Sequence, residues 1–292
     1  RASRHISTNL SSLNQWNLYR DISRYRRVVK DIGRILDVLG QSYGVRLSLA
    51  NYQHKKLVPV RSEDLLQAAE TPEDNPFFDY FKNRLTRAIE EKRPSFVGIS
   101  LNYMSQALTT FAIVGFIKKS WPGIATILGG GLITSWMSNP NWRNPFENLV
   151  DHLVAGPGEE PLLAILGMKK TTDHAMPDYD DFPLDSYMAP GYVLPYSSSM
   201  GCYWNKCAFC PEKAEASHYS SLPAEQVQRD LETLIEKKRP ALLHIVDSAI
   251  SPALMRAFTD VPPGVPWYGF ARISKQLMDL DFCRNLKPVS YT

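Results

Sequence analysis

Apolar positions set the first expectations. Between Leu13 and Leu39, the residues Trp16, Tyr19, Ile22, Tyr25, Val28, Val29, Ile32, Ile35, Leu36 and Leu39 recur every three or four positions, which predicts one long amphipathic helix or two with a break. Arg46 to Tyr52 alternates as a short strand does, and Pro59 to Pro76 is polar enough to read as a surface connection. Phe77 to Lys92 has helical spacing, and after Pro94 the apolar run Phe96 to Ser100 predicts a strand. A helix over Gln106 to Lys119 follows, then a strand over Ala125 to Leu128 that ends in Gly129, Gly130 and Gly131. His152 to Ala155 predicts another strand, ending in Gly156-Pro157-Gly158, and Glu159 to Met168 a helix.

From Lys169 to Pro195 the chain is acidic and carries four prolines, which marks a linker over residues 171–191 between a first domain, 1–170, and a second, 192–292. The second domain opens with a strand over Tyr192 to Ser198. A helix over Pro223 to Lys238 follows, with Val227, Leu231, Leu234 and Ile235 on one face. Strands over Leu242 to Val246 and Trp267 to Ala271 then alternate with helices over Pro252 to Phe258 and Lys275 to Leu286. Strand–helix repetition of this kind predicts an α/β fold with parallel sheets covered by helices on both faces, whose ligands sit beyond the carboxyl ends of the strands.

Composition narrows the class. With 44% hydrophobic residues in 292, the chain has material for sizeable cores, so a disordered chain is excluded. No apolar run approaches the roughly 20 residues of a membrane span, and no signal-peptide core follows Arg1, so a cytoplasmic protein with no membrane partner is expected. A net charge of +3 gives no argument for nucleic acid, and the basic stretch Arg1 to Arg34 reads as the wet face of a helix. Because the chain begins with Arg1, further sequence is expected before it.

Candidate chemistry concentrates at Gly201-Cys202-Tyr203-Trp204-Asn205-Lys206-Cys207-Ala208-Phe209-Cys210, a C-x4-C-x2-C spacing, while Cys283 stands apart on the apolar side of a helix. Disulfide frameworks spread their cysteines to close loops, so this cluster points to a metal or an iron–sulfur cluster. Soft thiolates select either zinc or iron and sulfide. Three cysteines without an obvious fourth leave one iron of a four-iron cluster open to an outside ligand.

The string resembles the cluster loop of the radical S-adenosylmethionine enzymes, which usually reads C-x3-C-x2-C; here one more residue separates the first two cysteines. The resemblance implies a four-iron four-sulfur cluster on Cys202, Cys207 and Cys210. Its open iron would bind S-adenosylmethionine for reductive cleavage to a 5′-deoxyadenosyl radical. It further implies Phe209 beside the adenine, Asp247 near the amino group and Arg272 at the carboxylate; capping and a surface ion pair are the structural alternatives for the last two. The first domain is similar to the Rossmann-like cobalamin-binding domain that precedes the radical domain in one subgroup, through Pro94 to Ser100, Ile127 to Gly131, Val150-Asp151 and Gly156 to Glu159. In that reading Ser100, Asn102, Gly129, Gly130, Gly131, Gly156 and Glu159 approach the cofactor. The D-x-H-x-x-G motif is absent, so no axial ligand of cobalt is named, and glycines that only make turns are the alternative.

What the resemblance implies is an enzyme with a small-molecule or peptide substrate and an electron donor such as flavodoxin or ferredoxin. Methyl transfer from methylcobalamin to an unactivated carbon or phosphorus is the reaction such a pairing most often implies. Only 90 residues follow Cys202, which corresponds to part of the family's barrel, so a longer protein is expected. Two other readings stay open: a zinc module using Cys202, Cys207, Cys210 and His218, and a non-catalytic cobalamin-binding protein.

Overall fold

The computed structural model describes residues 2–169, 174–215 and 218–286. Residues 171–173 of the expected linker and the last six of the second domain lie outside them. The chain divides into two compact units, one of Arg1–Asn9 with Ser23–Thr171 and one of Leu10–Ile22 with Thr172–Thr292. The division falls at the start of the expected linker, but the short segment Leu10–Ile22 joins the second unit, which no local pattern announces.

Helices α1 (Ile6–Ser12), α2 (Trp16–Tyr19) and α3 (Ile22–Gln41) open the chain, so the expected long helix is interrupted at Arg20-Asp21. The strand expected over Arg46 to Tyr52 is instead an antiparallel hairpin, β1 (Val45–Leu47) with β2 (Tyr52–His54); Ser48 Oγ accepts from the Asn51 amide at 3.0 Å and turns the chain. The expected surface connection contains α4 (Ser62–Glu70), whose Leu65, Ala68 and Ala69 are buried. Then come α5 (Phe78–Lys92), β3 (Phe96–Ser100), α6 (Met104–Ser120), β4 (Ala125–Gly129), α7 (Gly131–Met137), β5 (His152–Leu153) and α8 (Glu159–Ile165).

Strands β3, β4 and β5 form a parallel sheet in chain order, with Ile127 opposite both Gly98 and His152. Parallel neighbours need crossovers, which α6 and α7 supply. The order shows no reversal, and β3 leaves Phe96, Gly98 and Ser100 exposed, so helices do not cover both of its faces. Helix α6 is apolar nearly all round, as a helix buried on several sides must be. Its Gly115 lies against α4 so closely that a Cβ there would stand 2.0 Å from the Ala69 carbonyl oxygen. Phe111 of α6 packs at 4.6 Å on buried Phe146, which in turn meets Trp136, so this aromatic group belongs to the core.

The second unit contains β6 (Val193–Tyr196), β7 (Ser199–Met200), α9 (Pro211–Ala214), β8 (Ser220–Ser221), α10 (Ala224–Lys238), β9 (Leu242–Ile245), α11 (Pro252–Asp260), β10 (Trp267–Gly269) and α12 (Leu280–Leu286). The helix expected over Lys275 to Leu286 is a 3-10 turn, Lys275–Met278, followed by α12. The parallel order is β10-β9-β6, and β7 pairs with β8 as a separate antiparallel ribbon. No closed barrel is present among the described residues. Leu194, Tyr196, Leu243, Ile245 and Trp267 alternate onto one face of the sheet and share a core with Val227, Leu231 and Leu234 of α10. Full burial of each large side chain stabilises by about 1.5–3 kcal/mol.

A buried polar group crosses this core. Asp230 accepts from Tyr196 Oη at 2.7 Å and Gln226 Nε2 at 2.8 Å, with His174 Nε2 at 2.7 Å. Burial raises the Asp230 pKa, but these hydrogen bonds outweigh it and hold the group below the usual carboxylate range. Among the described residues, no helix is long and apolar enough to cross a membrane.

Candidate functional site

The cysteine loop leaves the carboxyl end of the β6–β7 segment, where Gly201 turns with φ 70°. Cys202, Cys207 and Cys210 are free thiols, each half-buried. Pro211 starts α9 directly after Cys210, and the Cys210 amide donates to the Cys207 carbonyl at 3.3 Å, so the last two cysteines sit on one tight turn. Among the described residues no three Cys, His, Asp or Glu side chains are drawn into a metal-binding group. The donor set suits a soft metal centre by its chemistry, three thiols within nine residues, while their gathering is not seen. His218, the fourth ligand of the zinc alternative, is exposed, and Phe209 is 90% exposed rather than packed against the protein.

Asp247 and Arg272 have tasks the sequence did not suggest. Asp247 is 2% exposed at the end of β9. Its Oδ1 accepts from the amides of Ser198 (2.7 Å) and Ser199 (3.2 Å), and its Oδ2 from both serine hydroxyls. With four donors from the chain itself on its two oxygens, it ties β9 to the entrance of the cysteine loop. That corrects the expectation that it caps the next helix; α11 is capped by Ser251. Arg272, beyond β10, stacks its guanidinium 3.1 Å from the ring centre of Trp204 inside the loop, in place of a surface ion pair. Ser248 hydrogen-bonds Glu212, two residues after Cys210. The residues that follow β9 and β10 thus fasten the loop at its start, middle and end.

Sequence reasoning missed Ser198, Ser199, Trp204, Glu212 and Ser248, because each matters through a partner distant in sequence. The sequence reads His244 as a surface or satisfied core group; it stacks flat on Tyr268 (4.2 Å, 9°), and its buried Nε2 has no hydrogen-bond partner among the described residues. Burial lowers its pKa and keeps it neutral near pH 7. Cys283 is half-buried, its Sγ 3.4 Å from the Leu277 carbonyl.

In the first unit the expected cofactor residues do meet at the strand ends. Ser100 closes β3, and Asn102 donates to its Oγ at 3.1 Å while accepting from the Gly131 amide at 2.9 Å. Gly130 caps α7 at φ 102°, and a Cβ there would stand 2.6 Å from the Leu101 carbonyl oxygen. Thr134 Oγ1 donates to the Gly130 carbonyl (3.0 Å) and accepts from the Gly156 amide (2.9 Å), joining the turns after β4 and β5. Gly129 ends β4 against the Val154 carbonyl, and Glu159 is exposed in the first turn of α8. These hydrogen bonds and close approaches give Asn102, Gly130, Gly131 and Gly156 structural tasks, and Ser100, Asn102 and Glu159 are exposed.

Asp151 is likewise structural: it accepts from Lys118 Nζ (2.6 Å), the Thr126 amide (2.6 Å) and Thr126 Oγ1 (2.9 Å). Burial raises its pKa, but these hydrogen bonds outweigh it and bring it to about 2.

No family model, no curated protein and no solved structure matches this chain.

Proposed function

We propose that this chain is part of a radical S-adenosylmethionine enzyme, with a four-iron four-sulfur cluster held by Cys202, Cys207 and Cys210 and a first unit of the cobalamin-binding type. The observation that carries the reading is the C-x4-C-x2-C loop itself, set at the carboxyl end of a strand of a parallel sheet with its three thiols free. Strand ends of such sheets are where ligands sit. When bound, the cluster supplies the electron that cleaves the sulfonium, and hard chemistry of this kind belongs to the cofactor.

The chain's own residues do the positioning. Asp247 holds the loop entrance, Ser248 with Glu212 holds its exit, and Ser100, Asn102 and Glu159 are exposed polar groups near the strand ends of the first unit. Asp247 is given no contact to S-adenosylmethionine in this reading, since its oxygens are occupied.

The test is anaerobic reconstitution of the protein with iron and sulfide, followed by reduction with S-adenosylmethionine present. The expected result is about four irons and four sulfides per chain, lost together in C202A, C207A and C210A, with release of 5′-deoxyadenosine. Stoichiometric zinc in anaerobically purified protein, with no cluster formed on reconstitution, would establish the zinc reading instead.

A further inference from the structure

Between Cys202 and Cys207 stands a tryptophan with two cations against it. The Arg272 guanidinium carbon lies 3.1 Å from the centre of the Trp204 ring, and the Lys206 ammonium 4.8 Å from it. Asn205, between Trp204 and Lys206, takes φ 42°, the left-handed conformation that asparagine adopts more readily than most residues. The two hydrogen-bonded ties of the loop do not reach this point: Asp247 engages Ser198 and Ser199 ahead of the cysteines, and Ser248 engages Glu212 after them. The stacking of Arg272 on Trp204 does reach it.

We propose that Arg272 is a positioning residue whose guanidinium clamps Trp204 and thereby fixes the Cys202–Cys207 span before any metal is bound. The use made of that span rests on the cysteine loop holding a cluster; the clamp itself does not. Chemistry favours these two residue types. Indole gives the strongest cation–π attraction among the aromatic side chains. Guanidinium is planar, stays charged and stacks on a ring face, whereas an ammonium is a strongly hydrated point charge. The left-handed turn at Asn205 is the bend that brings Trp204 and Lys206 around one another, so releasing the ring frees the peptide bond after Lys206.

The experiment uses the whole chain, metal-free and reduced, with trypsin cleavage after Lys206 followed by mass spectrometry. R272Q and W204A are each expected to accelerate cleavage roughly three- to tenfold, with R272K intermediate and W204F near wild type. The double variant R272Q/W204A is expected to cleave no faster than W204A alone, because Arg272 acts on the loop through the Trp204 ring. Hydrogen exchange over β9 and β10 reports whether a variant has kept its fold; where R272Q has not, R272K with W204A carries the same cycle. A second reading on reconstituted protein is the rate of iron loss to a chelator, expected to rise in R272Q. Unchanged cleavage in folded R272Q, or additive acceleration in the double variant, overturns the clamp. Zinc in the wild-type protein overturns the proposed function instead, and the metal-free cleavage result stands apart from it.

Discussion

In the first unit the turns after β4 and β5 are held at their backbone: Gly130 brings its chain to within contact of the Leu101 carbonyl, and the Gly131 and Gly156 amides donate to the side chains of Asn102 and Thr134. In the second unit the loop after β6 is held by side chains that reach in from other strands: Asp247, Ser248 and Arg272. Both loops end parallel strands, yet the consequences differ. Where the backbone itself does the fastening, the glycines and the polar residues around them are already engaged. Where outside side chains do it, through Trp204 and Glu212, the three thiols of the loop remain free. That contrast is why the cysteine loop is the better founded site and the glycine turns are the weaker one.

The sharpest way to break this comparison is to remove an outside fastener. D247A leaves the amides of Ser198 and Ser199 without their acceptor in a buried place, and each unpaired group costs about 1–3 kcal/mol. A loss of roughly 3–4 kcal/mol from the second unit is expected, with hydrogen-exchange protection falling in β6 and β9 while β4 of the first unit is unaffected. The three thiols should also react faster with a maleimide. If protection over β6 and β9 matches wild type, the loop entrance is held by something other than Asp247.

Much of the framework was legible from local pattern, and what was not has a common cause. Phe96 to Ser100 reads as a strand because an apolar run follows Pro94, and α10 shows its buried face at Val227, Leu231 and Leu234. Helix α4 was hidden because its nine residues hold few apolar positions between prolines; it is stable through Leu65, Ala68 and Ala69 against α6, a contact beyond the window. The hairpin Val45–His54 was read as one strand because the Ser48 turn lies inside an alternating run. At the site, the cysteines announce themselves by spacing alone. Their supports do not: Asp247 lies 49 residues from Ser198, and nothing near either one records the pairing.

A smaller effect tests the backbone side of the comparison. G115A places a methyl group where the Ala69 carbonyl already stands at 2.0 Å, so α4 and α6 must part. Overpacking of this kind costs about 1–3 kcal/mol. Protection should fall over α4 and α6 and leave the second unit untouched, the converse of D247A. Equal protection in the two helices would mean that their approach is looser than the packing at Gly115 requires.

The smallest effect is electrostatic and depends on pH. Asp151 is held at about 2 in the folded chain, against an ordinary carboxylate value near 3.9, so its ionised form is favoured by folding. A depressed carboxylate stabilises fully above the unfolded value and loses that stabilisation as pH falls through about 2. Its side chain is 37% exposed, so solvent screening reduces the contribution to about 1 kcal/mol. Wild type should therefore exceed D151N in the urea midpoint of the first unit at pH 6, and the gap should close as the medium approaches pH 2. Asparagine keeps an oxygen for Thr126 but has no charge for Lys118, so equal midpoints for the two proteins at pH 6 would assign the tie between β4 and the segment before β5 to the Thr126 hydrogen bonds rather than to the ion pair.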